Sequence, residues 1–183
     1  MVLNALGILE LNSIAAGIDA GDAMLKAAAV ELTAALPVCP GKFVVMVRGE
    51  VAAVKSSVTA GAEVSDENMV DTLVIPNVHP QVFEAVSGTS DIPEQGALGV
   101  IETFTLASCI HASDAAVKAA NVNLAEIRLG RGLGGKSYVI LTGDVSAVSE
   151  AVRVGKSHPE CEGMIARSVV IPSPHRAIRE ALI

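Results

Sequence analysis

The amino-acid sequence predicts an α/β (α+β sandwich) fold that is built twice in tandem. Apolar, β-branched runs of strand length alternate with segments of helical periodicity. The same order of motifs occurs in both halves of the 183-residue chain. The strands are near-continuous apolar runs, which is typical of a sheet that helices cover. Each half, at about 90 residues, is long enough to build a small core.

The repeat is visible in short motifs that recur in the same order. The motif ALGILE at residues 5–10 returns as ALGVIE at 97–102, and DAMLKAA at 22–28 returns as DAAVKAA at 114–120. Three further pairs follow: Gly41-Lys42 with Gly135-Lys136, RGEV at 48–51 with TGDV at 142–145, and Ile-Pro-x-x-His at 75–79 with the same pattern at 171–175. We therefore predict two domains, residues 1–91 and 92–183, joined by the polar segment 88–95.

Within the first half, the pattern predicts six elements, and the second half repeats their order. They are a strand at 5–10, a helix at 15–28, a strand at 42–48, a helix at 50–60, a short strand at 74–75 and a short helix at 79–86. The pairs Asp22 with Lys26 and Asp114 with Lys118 are four residues apart, which predicts ion pairs along a helix.

Composition excludes several classes of protein. Hydrophobic residues make up 51% and charged residues 18%, which excludes a disordered chain. The net charge of −7 and the aromatic content of 2% argue against nucleic-acid binding. The three cysteines are too few for a disulfide framework. No apolar run has transmembrane length, and residues 1–4 lack the basic start of a signal peptide, so we predict a cytosolic protein.

The scarcity of aromatic residues in so apolar a chain leaves one question open. Small aliphatic residues can fill thin cores, or they can form large contacts between proteins. The sequence pattern alone supports both interpretations.

Residues 130–137, GRGLGGKS, satisfy the phosphate-binding pattern G-x-x-x-x-G-K-[ST]. That motif works where a strand precedes the loop and a helix follows it. Here residues 138–142 have the pattern of a strand, and the corresponding segment 37–42, PVCPGK, lacks the motif. We interpret the loop as a tight turn between strands. A nucleotide-binding or redox enzyme is the weaker alternative.

No catalytic arrangement is evident among the histidines and carboxylates. His79 and His175 occupy equivalent positions just after proline-containing turns, which favours a role at the start of a helix over catalysis. No Ser/His/Asp set or carboxylate pair converges, so we predict that the chain is not an enzyme.

The three cysteines do not form a motif within one chain, since no pair has C-x-x-C spacing. Cys109 lies in a predicted helix and is expected to be a buried small hydrophobe. Cys161 lies in a polar loop and is expected to be an exposed thiol. Cys39 lies between two prolines in the stiff turn 37–42. A cysteine in such a turn is poorly explained by a need to fill the core. Its residue pattern alone leaves a structural and a functional role equally open.

The five repeated motifs, in this order, resemble the bacterial microcompartment shell domain, and they do so twice over nearly the whole chain. The chain is similar to tandem, non-permuted shell proteins of the trimer-forming class. The resemblance implies two ferredoxin-like domains per chain and a homotrimer shaped as a pseudohexameric disc. It also implies a place in a microcompartment shell within the cytoplasm, edge-to-edge contact with other shell proteins, and neither a membrane nor a nucleic-acid partner.

The resemblance also implies the functional residues. In this family the loop before the third strand position faces a central pore, and trimer symmetry would bring Cys39 of three chains together. In similar shell proteins such thiolates hold one [4Fe-4S] cluster per trimer, so Cys39 is expected to be its ligand. Repeat two has glycines and two extra residues instead. The implied pore-lining residues are Val38, Cys39, Pro40, Gly41, Gly132, Leu133, Gly134 and Gly135.

The implied role is to move electrons, or whole clusters, across the shell, with redox enzymes of the lumen as partners. The alternative is a tandem shell trimer without a cluster, whose pore conducts small metabolites. Lys26 and Lys118 match the family's shell-edge lysine. A basic residue that many relatives carry two positions before the motif histidine is missing here, since residues 77–78 are Asn-Val and 173–174 are Ser-Pro. Edge packing is therefore expected to be weaker or suited to particular neighbours.

Overall fold

The computed structural model describes residues 5–91 and 95–182. It divides the chain into two compact units, Met1–Val78 and His79–Ile183. Residues 1–4, used above to argue against a signal peptide, lie outside the described residues, as do residues 92–94 of the predicted linker.

The first unit is a four-stranded antiparallel sheet with two helices packed against it. Its elements are β1 (Ala5–Leu11), α1 (Ile14–Ala27), β2 (Glu31–Val38), β3 (Lys42–Gly49), α2 (Val51–Val64) and β4 (Met69–Ile75), with a 3-10 turn at Asp66–Asn68. The strand order is β2-β3-β1-β4. Helices α1 and α2 pack on each other, and both contact the sheet.

The second unit repeats this arrangement and adds one helix at each end. Its elements are α3 (Pro80–Ser87), β5 (Ala97–Thr103), α4 (Leu106–Ala119), β6 (Val122–Leu129), β7 (Ser137–Gly143), α5 (Val145–Lys156), β8 (Ile165–Ile171) and α6 (Arg176–Leu182), with a 3-10 turn at Pro159–Cys161. The strand order β6-β7-β5-β8 copies that of the first sheet. None of the described helices has the length and apolarity needed to cross a membrane.

The cores lie where the central strands meet the helices. Strands β1 and β3 pair along their full length, with Leu9 opposite Val45, and both are buried almost throughout. This burial explains why both strands are near-continuous apolar runs. The buried cluster of the first unit contains small and medium aliphatic residues and one phenylalanine, namely Ala5, Leu9, Leu11, Ala20, Met24, Phe43, Val45, Val47, Val54 and Val58.

Equivalent residues begin the equivalent helices. The Ser13 hydroxyl accepts a hydrogen bond from the Ala16 amide, and the Thr105 hydroxyl accepts one from the Ser108 amide. Each satisfies one of the amides that the first helical turn leaves unpaired. The predicted helix-start role of His79 is confirmed, since its Nδ1 accepts from the Gln81 amide at the start of α3.

The predicted fold class is confirmed, but two strands were missed. The sequence pattern assigned no strand to Glu31–Val38 or Val122–Leu129, which form the edge strands β2 and β6. Helix α2 runs to Val64, four residues beyond its predicted end, and β4 begins at Met69. The predicted domain division at residues 91 and 92 stays a prediction, and α3 packs on β6 within the second unit.

A glycine sets the distance between the two packed helices of the second unit. A Cβ atom added at Gly155 in α5 would lie 2.7 Å from the Ala112 carbonyl oxygen of α4. Real Cβ atoms essentially never come so close, and a backbone atom cannot move aside cheaply. The close packing of α4 and α5 therefore depends on glycine at position 155.

We expect Gly155→Ala to lower the free energy of unfolding by about 1–3 kcal/mol, because the added methyl group forces two helices apart. Chemical denaturation followed by circular dichroism measures this change. Gly21→Ala is the matched control, since its added Cβ would meet the Val45 side chain at 3.3 Å. There the gain in helix propensity offsets the tighter contact, and we expect a change below about 1 kcal/mol. Equal losses in both variants would contradict the argument.

Candidate functional site

The turn that carries Cys39 is a short connection between two paired strands. Val38 at the end of β2 lies opposite Lys42 at the start of β3, so residues 39–41 make the whole turn. The Cys39–Pro40 peptide bond is cis, and Gly41 has a φ of +76°. That value lies in the left-handed region, which explains the glycine. Val38 is buried, Cys39 is half-buried, and Pro40 and Gly41 are exposed.

The corresponding turn of the second unit is longer and richer in glycine. Leu129 at the end of β6 pairs with Ser137 at the start of β7, so the turn comprises residues 130–136. The strand ends therefore leave a larger insertion than the two residues that the repeat alignment predicted. Four of its glycines have positive φ angles: Gly130, Gly132, Gly134 and Gly135.

A strand follows this second turn, which argues against a phosphate-binding loop at residues 130–137. Residues Ser137–Gly143 form β7, so the loop is followed by a strand and not by the helix that the motif requires. The Ser137 hydroxyl, which the motif would place on a phosphate-bound metal, accepts instead from the Gly130 amide at 3.1 Å. The interpretation as a turn between strands is confirmed.

A lysine at the base of each turn is paired with a glutamate of the neighbouring strand. Lys42 Nζ lies 2.7 Å from Glu10 Oε1, and the two side chains are 30% and 12% exposed. Lys136 Nζ lies 2.9 Å from Glu102 Oε1, in a more exposed pair. These glutamates end the repeated motif at 5–10 and 97–102, and the sequence reasoning gave them no role. Their recurrence beside a recurring Gly-Lys pair was the available signal.

The three cysteines differ in burial and in acidity. Cys109 is fully buried on α4, as predicted, and loss of hydration on burial raises the pKa of its thiol to about 12. Burial also raises the pKa of the Cys161 thiol to about 11, and the nearby Glu160 carboxylate adds to this. Both thiols are therefore neutral near pH 7, whereas a metal ligand is a thiolate.

The expectation that Cys161 is an exposed thiol is wrong. Its side chain is 1% exposed, and its Sγ donates to the Ser108 carbonyl at 3.3 Å. The surrounding loop is polar, but the 3-10 turn Pro159–Cys161 packs on α4 and directs the cysteine inward. Cys39 is thus the half-exposed cysteine among the three, and none of them forms a disulfide.

One chain does not assemble a metal site from its described residues. Across residues 5–91 and 95–182, no three His, Cys, Asp or Glu side chains are grouped so that they could hold a metal ion. Cys39 contributes one half-buried thiol. This donor set fits an iron–sulfur cluster when three chains each supply one thiolate, and it does not fit a cluster within one chain.

The remaining predicted residues lie on the helices. The predicted ion pairs are confirmed: Lys26 pairs with Asp22 on α1, and Lys118 pairs with Asp114 on α4 at 2.6 Å. Both lysine side chains are exposed, at 74% and 42%. His175 begins α6 as His79 begins α3, with its Nδ1 accepting from the Ala177 amide at 3.2 Å.

The fold and the two turns match a known family. The model of the BMC domain matches residues 5–78 and again residues 97–174, so the chain belongs to this family and carries its domain twice. Each matched segment begins at β1 or β5 and includes one four-stranded sheet with its two helices.

Individual relatives agree with this assignment. The bacterial microcompartment shell protein PduT of Citrobacter freundii is 43% identical over 98% of this chain and 97% of its own length. The shell protein PduA of the same organism is 40% identical over 49% of this chain and 94% of its own length, so one half here corresponds to nearly all of PduA. The crystal structure of a microcompartments protein from Desulfitobacterium hafniense DCB is 50% identical and has a TM-score of 0.94, covering 98% of this chain and 99% of that one. The chain is a bacterial microcompartment shell protein with tandem domains, similar to PduT.

The thiols predict a simple labelling pattern. At pH 8 we expect one cysteine of the native protein, Cys39, to react with Ellman's reagent, and three to react after denaturation. Because the pKa values of Cys109 and Cys161 are raised, these thiols stay protonated until the pH approaches about 11. Peptide mapping of the labelled sites identifies the reactive residue. Fast labelling of Cys161 in folded protein would contradict its burial.

The lysine pairs predict unequal effects on stability. Lys42→Ala leaves the largely buried Glu10 carboxylate without its partner, so we expect the free energy of unfolding to fall by about 1–3 kcal/mol. Lys136→Ala removes the more exposed equivalent, and we expect a loss below about 1 kcal/mol. Urea unfolding of both variants provides the comparison. A larger loss for Lys136→Ala would show that burial does not govern these pairs.

Proposed function

We propose that three copies of this shell protein form a trimer and hold one [4Fe-4S] cluster at its central pore through Cys39 of each chain. The single observation that carries the proposal is the contrast among the cysteines. Cys39 is half-exposed at the tip of a tight turn, while Cys109 and Cys161 are buried and carry protonated thiols. The similarity to PduT over nearly the whole chain supports the trimer-forming class.

The turn itself suits a ligand role. Residues 39–41 connect two paired strands directly, so the strand ends fix the position of the Cys39 backbone. Gly41 has no neighbouring heavy atom within 4 Å of an added Cβ, so this side of the turn is open. Its backbone amides, together with those of the glycine-rich turn 130–136, are expected to donate hydrogen bonds to the bound sulfur atoms. Such bonds would tune the reduction potential of the cluster.

The two halves differ at the position where the proposed function requires a difference. The first half has a cysteine in its turn, and the second has glycines and Leu133. In the proposed trimer, ligating and non-ligating turns would therefore alternate around the axis. When bound, the cluster supplies one-electron redox chemistry. The protein's contribution is to place three thiolates together and to close the pore to metabolites.

We also propose that Lys26 and Lys118 contact neighbouring discs in the shell sheet. Both project from the last turn of their helix and are exposed, and each keeps its aspartate partner one helical turn earlier. Other shell proteins are the partners in this proposal.

Replacement of Cys39 tests the cluster directly. We expect anaerobically reconstituted protein to carry about four irons for every three chains and to show iron–sulfur absorbance and an EPR signal on reduction. Cys39→Ser and Cys39→Ala should lose most of the iron and the visible absorbance. Cys161→Ala is the matched control, and it should keep both because its sulfur is buried away from the turn.

The outcomes separate the proposal from its alternative. If Cys39→Ala protein binds iron with the same stoichiometry and spectrum, Cys39 is not the ligand. If wild-type protein forms trimers but takes up no iron, the alternative holds, and the chain is a shell trimer whose pore conducts small metabolites. The size of the assembled protein distinguishes this result from a failure to assemble.

A further inference from the structure

A pocket of about 320 Å³ lies in the second unit, beside α6. It is lined by Gln95 and Gly96 before β5, by residues 172–174 after β8, and by Arg176 and Arg179 of α6. None of the described lining residues is acidic, whereas the chain as a whole has a net charge of −7. Two cations therefore meet at one cavity of an acidic protein, and we call this cavity the arginine pocket.

The two arginines occur in one repeat only. Both follow the Ile-Pro-x-x-His motif of the second repeat, and the equivalent residues after the first copy of the motif are Pro80 and Phe83. In α3, Pro80 begins the helix and Phe83 is buried. The second repeat thus has two cations, Arg176 and Arg179, at positions where the first repeat has two apolar residues.

The stability of α6 does not explain this pair of arginines. Residues three apart in a helix project from the same face, where two like charges repel each other. Arg176 also stands in the first turn of α6, where the helix dipole disfavours a cation, and only Arg179 in the last turn is favourably placed. A departure from the local rules of stability is typical of residues that serve binding.

Both guanidinium groups have donors to offer an anion. Arg176 Nε lies 2.5 Å from Glu180 Oε1, but the two side chains are 88% and 59% exposed. Water screens such an exposed pair, so the carboxylate holds Arg176 only weakly. Arg179 is half-buried and donates to the Gly96 carbonyl. Because a guanidinium carries five N–H donors, Arg179 can keep this bond and bind an oxyanion as well.

We infer that the arginine pocket binds the phosphate group of a small molecule, held between Arg176 and Arg179. Near pH 7 a phosphate group carries up to two negative charges and has three strong acceptor oxygens. These match two guanidinium forks, whereas a monocarboxylate has one charge and oxygens for a single fork. The inference goes beyond the proposed function and depends neither on the trimer nor on the cluster.

The other walls of the pocket suit the rest of such a ligand. The Ser173 hydroxyl and the Gln95 amide are groups that can donate a hydrogen bond to a ligand oxygen. Pro172 and Pro174 have restricted backbones and offer apolar rings to a short carbon chain. The volume lies near the lower limit for small-molecule sites, about 300–1,000 Å³, which favours a ligand of few carbons.

Isothermal titration calorimetry of the full-length protein tests the site. The probes are glycerol phosphate, inorganic phosphate and acetate, each added in a phosphate-free buffer. We expect both phosphates to bind, and acetate to bind at least roughly tenfold more weakly. Tighter binding of glycerol phosphate identifies an ester as the ligand, and equal affinities identify free phosphate. Binding should weaken below about pH 6, where the phosphate group takes up its second proton.

Substitutions of the charged residues locate the binding site. Arg176→Ala and Arg179→Ala should each weaken the binding of glycerol phosphate by roughly tenfold or more, since each removes charge-assisted hydrogen bonds. Arg153→Ala is the matched control, because Arg153 is an exposed arginine of α5 that pairs with Glu150 and does not line the pocket. This variant should bind as the wild type does. Glu180→Gln should tighten binding by roughly twofold, because Arg176 loses its competing carboxylate.

The inference is overturned if neither phosphate binds at concentrations up to about 10 mM. It is also overturned if acetate binds as tightly as glycerol phosphate, or if both arginine variants bind as the wild type does. Circular dichroism shows whether each variant is folded. Should an arginine variant fail to fold, Glu180→Gln still tests the site, and unchanged affinity in that variant would contradict the inference. Failure of the proposed trimer or cluster leaves these measurements unaffected.

Discussion

The close approach of helices to each sheet is the constraint on which both units depend. A Cβ added at Gly7 on β1 would lie 2.7 Å from the Val54 and Val58 side chains of α2, and one added at Gly99 on β5 would lie 2.8 Å from the Val152 side chain of α5. Cores this thin are filled by valine, alanine and leucine, and leave little space for aromatic rings. The scarcity of aromatic residues thus follows from the helix-to-sheet distance, and apolar side chains remain on the outer faces of α1, β2 and α6.

The two repeats share a scaffold and differ in the turns that connect their strands. Both sheets have the same strand order, and each is stabilised by a glutamate and a lysine at the base of the same turn. The turns themselves differ, with residues 39–41 in one unit and 130–136 in the other. The scaffold can tolerate this difference because each turn lies beyond the last paired residues of its strands. This difference in length therefore lies at positions that packing does not restrict.

The elements predicted from the sequence are those whose pattern occurs in both halves of the chain. The central strands and α1 were found because they recur and are continuously apolar or helical in spacing. Strands β2 and β6 were missed because the exposed ELTAALPV of β2 lacks clear alternation and contains Pro37, and because an edge strand is defined by its pairing with β3. The burial of Cys161 was also missed, since it depends on a 3-10 turn packing against a helix distant in sequence. The position of Cys39 at a turn was predictable, but the acidity of the other two thiols required their burial to be known.

A tandem chain can carry a different residue in each of its two turns, which a disc of identical single-domain chains cannot do. If each domain were a separate identical chain, a disc of six would bring six copies of every turn residue to the axis. Fusion of two domains lets the turns differ, so the proposed disc of three chains would present three cysteines and three glycine-rich turns at its axis. In the proposed cluster these three thiolates would each bind one iron, and the fourth iron would have no protein thiolate.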